Sequence, residues 1–82
     1  MNVFISKASL KYLARCEKKM KLAIMDAIEH LPDAGDIRKL KGQSIRNAFR
    51  LRVGRYRVVF TKEENEIRVL DIDTRGDIYK RS

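Results

Sequence analysis

Residues 49–60, Phe-Arg-Leu-Arg-Val-Gly-Arg-Tyr-Arg-Val-Val-Phe, constrain this chain more than any other stretch. Apolar and basic side chains alternate on both sides of a single glycine, Gly54. A repeat of two is the period of a β-strand, and a glycine between two such runs marks a tight turn. The spacing therefore predicts a hairpin. Phe49, Leu51 and Val53 face one way in the first arm, with Tyr56, Val58 and Phe60 in the second. Arg50 and Arg52 take the opposite side, as do Arg55, Arg57 and Val59. If the register joins the two apolar sets, one face belongs to a core and Arg50, Arg52 and Arg57 are driven together on the other.

Charge gives that face a meaning. The 82 residues carry 19 Lys and Arg against 11 Asp and Glu, a formal net charge of +8. Residues 1–47 hold ten basic and five acidic side chains, and residues 48–82 hold nine and six, so the basicity belongs to the body of the chain rather than to a tail. Nucleic acid, an acidic protein or an anionic surface are the partners such a balance selects. At 44% hydrophobic residues the composition suits a globular protein. The length suits one domain, 1–82, with a single core.

The elements around the hairpin follow from pattern. Asn2 to Ile5 reads as a strand, and Ser6 as the N-cap of a helix from Lys7 to about Cys16. Met20, Ile24, Ala27, Ile28 and Leu31 repeat at helical spacing and predict a second, stronger helix. No Gly or Pro lies between the two, so the residues alone allow the helices either to break or to run on there; a tight helical hairpin is the expectation. Pro32 and Gly35 end the helical region, and 37–42 is expected to be a basic connector with one or two residues reaching the core. Residues 43–48 read as loop, 63–66 as a charged turn, and Ile67 to Ile72 as a third strand of the meander. Helices followed by a run of strands predict an α+β fold in two layers.

Several chemistries find little support. One histidine and one cysteine give no zinc-type ligand spacing. Asp71 and Asp73 share a face of their strand and form a conceivable Mg²⁺ pair, although carboxylates among arginines are more often ion-paired. His30 falls late in the second helix, where a cation meets the helix dipole favourably, and a helix-terminal role is expected. Cys16 cannot form an intramolecular disulfide and is expected to act as a small hydrophobe, which suits a reducing cytoplasm. No phosphate loop, dinucleotide glycine motif or nucleophilic serine motif is present. No apolar run approaches the ~20 residues of a membrane span, so no membrane role is expected.

The arginines carry two readings. In the bland one they solubilise an exposed sheet face and pair with Asp71, Asp73 and Asp77. In the other they meet nucleic acid, for which arginine brings a planar fork of donors and a surface that stacks on bases. Lys39, Lys41 and Arg46 would widen the basic footprint before the hairpin, and Arg55 at its tip. Tyr79, between Ile78 and the pair Lys80-Arg81, is a candidate stacking platform or an aromatic closing the core edge.

Lys39-Leu40-Lys41-Gly42, the 49–60 hairpin and Arg75-Gly76-Asp77-Ile78-Tyr79-Lys80 together resemble the signature of the RelE/ParE toxin superfamily, closest to its RelE branch. The resemblance covers essentially the whole chain. It implies two N-terminal helices packed on one face of a small, mainly antiparallel sheet. It implies a toxin of a type II toxin-antitoxin system, bound by an acidic antitoxin from the neighbouring gene in a hetero-oligomer. RelE-type toxins are mRNA interferases: they enter the ribosomal A site, against small-subunit ribosomal RNA, and cleave mRNA by attack of a 2′-hydroxyl on the adjacent phosphate, without metal or other cofactor. Carried over by position, Arg57 matches the arginine on the scissile phosphate, Arg75 a second arginine, and Tyr79 the tyrosine that stacks on a base. Arg50 and Arg52 stand where RelE proper has lysines. An arginine cannot serve as a base at neutral pH, so these two are left with electrostatic support. Tyr79 and Lys80 are then the available bases. The same resemblance admits two alternatives, a ParE-like inhibitor of DNA gyrase and an inactive RNA-binding relative.

Overall fold

The computed structural model describes residues 2–40 and 47–74. In chain order the elements are β1 (Asn2–Ile5), α1 (Lys7–Arg15), α2 (Lys18–Glu29), β2 (Asp36–Lys39), β3 (Ala48–Val53), β4 (Tyr56–Glu63) and β5 (Glu66–Thr74). The five strands form one sheet in the order β1-β5-β4-β3-β2. Strands β2 to β5 pair antiparallel in sequence, and β1 returns alongside β5 in parallel. Both helices lie against one face, so the expected two-layer α+β architecture holds.

Ser6 starts α1 as its sequence suggests. Its Oγ accepts a hydrogen bond from the Ser9 backbone N–H at 3.1 Å, the bond that satisfies a first-turn donor of a helix. Helix α1 stops at Arg15, because Cys16 and Glu17 take extended backbone with ψ of 153° and 146°. The break that no Gly or Pro announced has a geometric reason. One continuous helix over 7–29 would run about 34 Å at 1.5 Å per residue, longer than the molecule's largest dimension of 32 Å. Turning at Cys16-Glu17 keeps both apolar faces over the sheet.

Residues 37–39 correct part of the connector expected over 37–42. Asp36–Lys39 is the edge strand β2, with Ile37 opposite Leu51 and Arg38 opposite Arg50. Gly35 prepares its entry: φ is +117°, and a Cβ there would lie 2.7 Å from Leu51 Cδ1. Both the left-handed backbone and the close approach require glycine. Across the sheet, Gly54 takes φ +60° in a two-residue loop between the paired Val53 and Tyr56. Positive φ at the first loop residue matches a type II′ hairpin turn, whose twist suits the strands it joins.

The core joins Leu13 of α1, Ile24 and Ile28 of α2 and Leu31 to Leu51, Val58, Phe60, Ile67, Val69 and Ile72 of the sheet. Phe49 stacks on Phe60 with ring centroids 5.6 Å apart. Tyr12 meets Tyr56 edge-on at 6.2 Å. Along β5, Ile67 and Val69 point into the core, yet so does Ile72, which breaks strict alternation. The cause is a bulge: Val59 pairs with Asp71 while Phe60 pairs with Val69, leaving Leu70 as the extra residue. Ser6 Oγ donates to the Leu70 carbonyl at 3.0 Å, so the group displaced from the ladder keeps a partner.

Candidate nucleic-acid interface

The hairpin register decides the site. Phe49 pairs with Phe60, Leu51 with Val58 and Val53 with Tyr56, so the apolar sets of β3 and β4 do meet on the helix side. Arg50, Arg52 and Arg57 are thereby placed on the opposite face, where Arg52 and Arg57 are direct cross-strand partners. Like charges in that position repel, and the neighbouring strands supply the compensation. Asp36, Arg52, Arg57 and Asp73 are successive partners across β2, β3, β4 and β5. One rung away, Arg38, Arg50, Val59 and Asp71 are successive partners in the same way. The bulge at Leu70 puts Asp71 and Asp73 on this face; an unbroken alternation from Ile67 and Val69 would have turned them inward.

Arginine environments differ sharply. Arg50 is 8% exposed, unusual for a charged residue. Burial pushes its pKa below the ordinary arginine value; Asp36 opposes that shift, and the Arg52, Arg57 and Arg38 guanidiniums add to it. An arginine destabilised by burial and by three like charges is a site that gains from an anion. Arg52 is about half exposed, and its Nε donates to Asp36 Oδ2 at 3.0 Å. The other oxygen of that carboxylate lies 3.8 Å from Arg50 Nη2. Arg57 is half-buried, and Asp73 opposite it is buried, with one oxygen accepting from the Thr74 backbone N–H at 2.8 Å.

The remaining candidates separate. Arg55 is an exposed turn residue at the hairpin tip. Lys39 pairs with Phe49 and so alternates to the other side of the sheet from Arg38. The candidates Lys41, Arg46, Arg75, Tyr79, Lys80 and Arg81, together with Asp77, lie outside the described residues. Sequence reasoning missed two residues of this face, Asp36 and Arg38, because it took β2 as a connector. The alternation Asp-Ile-Arg-Lys was the available signal, four residues long and without a turn to anchor it.

Elsewhere the surface is simpler. His30 caps the C-terminus of α2, with Nδ1 2.8 Å from the Asp26 carbonyl oxygen and 3.9 Å from its carboxylate. Cys16 is half-buried, and its Sγ donates to the Tyr12 carbonyl at 3.4 Å. Among the described residues no group of three His, Cys, Asp or Glu could hold a metal ion. Among the same residues no helix is long and apolar enough to cross a membrane.

Comparison with known proteins adds to this geometry. The family model for the ParE toxin of type II toxin-antitoxin systems matches residues 3–79. The RelB-RelE antitoxin-toxin complex of Methanococcus jannaschii contains a chain 27% identical, with a TM-score of 0.70 over 95% of this chain and 96% of that one. The RelE-RelB complex of Pyrococcus horikoshii gives 29% identity and a TM-score of 0.71 over 92% and 94%. The YoeB dimer of Staphylococcus aureus, at 23% identity, shares the fold with a TM-score of 0.67 over 87% and 92%. No curated protein sequence matches the chain.

Proposed function

Because this chain belongs to the ParE toxin family of type II toxin-antitoxin systems, we propose that it acts as a RelE-type toxin, a metal-independent endoribonuclease that cleaves mRNA in the ribosomal A site. The observation that carries this reading is the convergence of Arg50, Arg52 and Arg57 on the face opposite the helices. Three guanidiniums on adjacent strands form a floor for a phosphodiester, and fixed positive charge is worth most where negative charge develops. In the reaction the ribose 2′-oxygen bonds to the adjacent phosphorus and the bond to the 5′-oxygen breaks. The products are a 2′,3′-cyclic phosphate and a free 5′-hydroxyl. Arg57 holds the scissile phosphate, and Arg50 and Arg52 stabilise the pentavalent state. Arg75 supplies further charge and Tyr79 a stacking surface for a base. Tyr79 and Lys80 are the groups available to take the 2′-proton. The protein partner is an acidic antitoxin, in keeping with the RelB-bound chains it resembles.

Expression without antitoxin is expected to arrest growth, with new mRNA 5′ ends inside codons seen by primer extension. Arg57→Ala should lower cleavage by about 10²–10³-fold, the usual cost of losing one charge-stabilising donor, and relieve the arrest. A second reading is favoured by the family match itself: a ParE-like toxin that inhibits DNA gyrase by binding. Intact mRNA with gyrase-linked DNA breaks would select it and discard the nuclease.

A further inference from the structure

We propose that Asp36 is a positioning residue of the arginine face, an internal counter-anion that holds Arg50 and Arg52 ready for a phosphate and gives way when one binds. The inference rests on the reading of that face as a phosphate floor. Each oxygen of the Asp36 carboxylate addresses a different arginine, Oδ2 at 3.0 Å from Arg52 Nε and Oδ1 at 3.8 Å from Arg50 Nη2. Two oxygens meeting two guanidiniums is also how the non-bridging oxygens of a phosphodiester would be received. The carboxylate thus keeps the two forks apart and oriented in the absence of RNA.

Asp36 differs from the acid at the opposite end of the same rung. Asp73 is 8% exposed and tied to the Thr74 backbone. The Asp36 side chain is 43% exposed and sits on an edge strand. An exposed ion pair contributes little and is readily exchanged for another anion. The buried Arg50 beside it, crowded by three other arginines, keeps its need for an anion when Asp36 withdraws. Asp36 therefore opposes RNA affinity and favours turnover: it repels the incoming backbone, and it sets the arginine geometry that the reaction uses.

The test measures binding of an uncleavable 2′-O-methyl oligoribonucleotide across a salt series, beside mRNA cleavage in a translating extract. Asp36→Asn should bind about fourfold tighter, the size of one unit-charge interaction across ~5 Å of water. Its plot of log affinity against log salt should steepen by about 0.7, one more phosphate's worth of counterion release from a single strand. Cleavage at saturating toxin should fall by roughly ten- to a hundredfold, as expected when the groups around a reacting centre lose their alignment. Asp36→Glu keeps the charge and should keep the wild-type salt slope. If Asp36→Asn leaves affinity and slope unchanged while Arg57→Ala still weakens binding, the role given to Asp36 is wrong and the phosphate floor stands. A loss of binding in Asp36→Asn as large as that in Arg57→Ala would likewise overturn it, since the carboxylate would then be structural support only. Binding that is indifferent to Arg57→Ala would remove both readings.

Discussion

His30 shows how a single residue's setting fixes its chemistry. Its ring nitrogen bonds the Asp26 carbonyl oxygen, and this bond, with the Asp26 carboxylate second, raises its pKa above the ordinary 6.5. The sign follows directly. A raised folded-state value adds stability that is complete below the unfolded pKa and is lost as pH climbs through the folded one. An NMR titration of the imidazole should therefore give a midpoint above 6.5. Asp26→Asn should lower that midpoint only in part, because the backbone carbonyl remains; a full return to the ordinary value would contradict the order of causes. The ring sits at the end of α2, a helix packed on the sheet face opposite the arginines, and the charge change is expected to leave cleavage unaltered. Arg50 presents the contrasting case of a residue whose burial and neighbours make its charge expensive to hold. The alternation of 49–60 located Arg50 on the correct face. It could not reveal the burial, which depends on what the rest of the chain packs around that side chain.

At the scale of elements, the junction of β1, α1 and β5 does the most to shape the site. Ser6 caps α1 through Ser9 and bonds the Leu70 carbonyl at the bulge of β5. Its own N–H donates to the Val69 carbonyl at 3.0 Å. Ser6→Ala removes the cap and orphans a displaced carbonyl together. Chemical denaturation should show a loss of about 1–3 kcal/mol, the range for a lost cap combined with an unsatisfied polar group. A loss under a few tenths would mean that water replaces both bonds. The N-cap itself was legible, a serine ahead of an amphipathic run. Its second bond was not, since Leu70 lies 64 residues away and the bulge that frees its carbonyl has no local signature. The same bulge sends Asp71 and Asp73 to the arginine face, so the bland reading of paired arginines is partly realised. Asp36, from a strand that the sequence did not announce, is a further partner, to Arg50 and Arg52.

At the scale of the whole molecule, the described residues form two thin layers joined by one seam. Ile24 and Ile28 of α2 and Leu13 of α1 are at most 1% exposed against the sheet residues Leu51, Val58 and Phe60. A domain of this length has a total stability of roughly 4–12 kcal/mol by the usual per-residue range. Ile24→Ala, which opens a cavity at the centre of the seam, should cost about 2–5 kcal/mol. Thermal melting should show that variant's midpoint fall by roughly 10–40 °C, at about 4–8 °C per kcal/mol for a domain of this size. An unchanged melting temperature would mean that the seam closes around the gap. The arginine face makes no such contribution, and its like charges are held together by the core on the other side of β3 and β4.

By itself the sequence determined the hairpin, its two faces, the start of the first helix and the presence of the second. These are readable because each follows from short-range rules: a period of two about Gly54, a serine before Lys7, a period of 3.6 through Ile24 and Ile28. Tertiary structure alone decided the rest. It made 36–39 an edge strand, because four residues acquire strand character only when β3 offers a ladder. It set β1 parallel to β5, and it broke the helical region at Cys16-Glu17, where a single rod would outgrow the sheet. Through the bulge at Leu70 it chose which side Asp71 and Asp73 face. Those choices are settled by closure of one core over a short sheet, and they set three alternating arginines on two adjacent rungs of charge, with Asp36 at the open end of the Arg52-Arg57 rung.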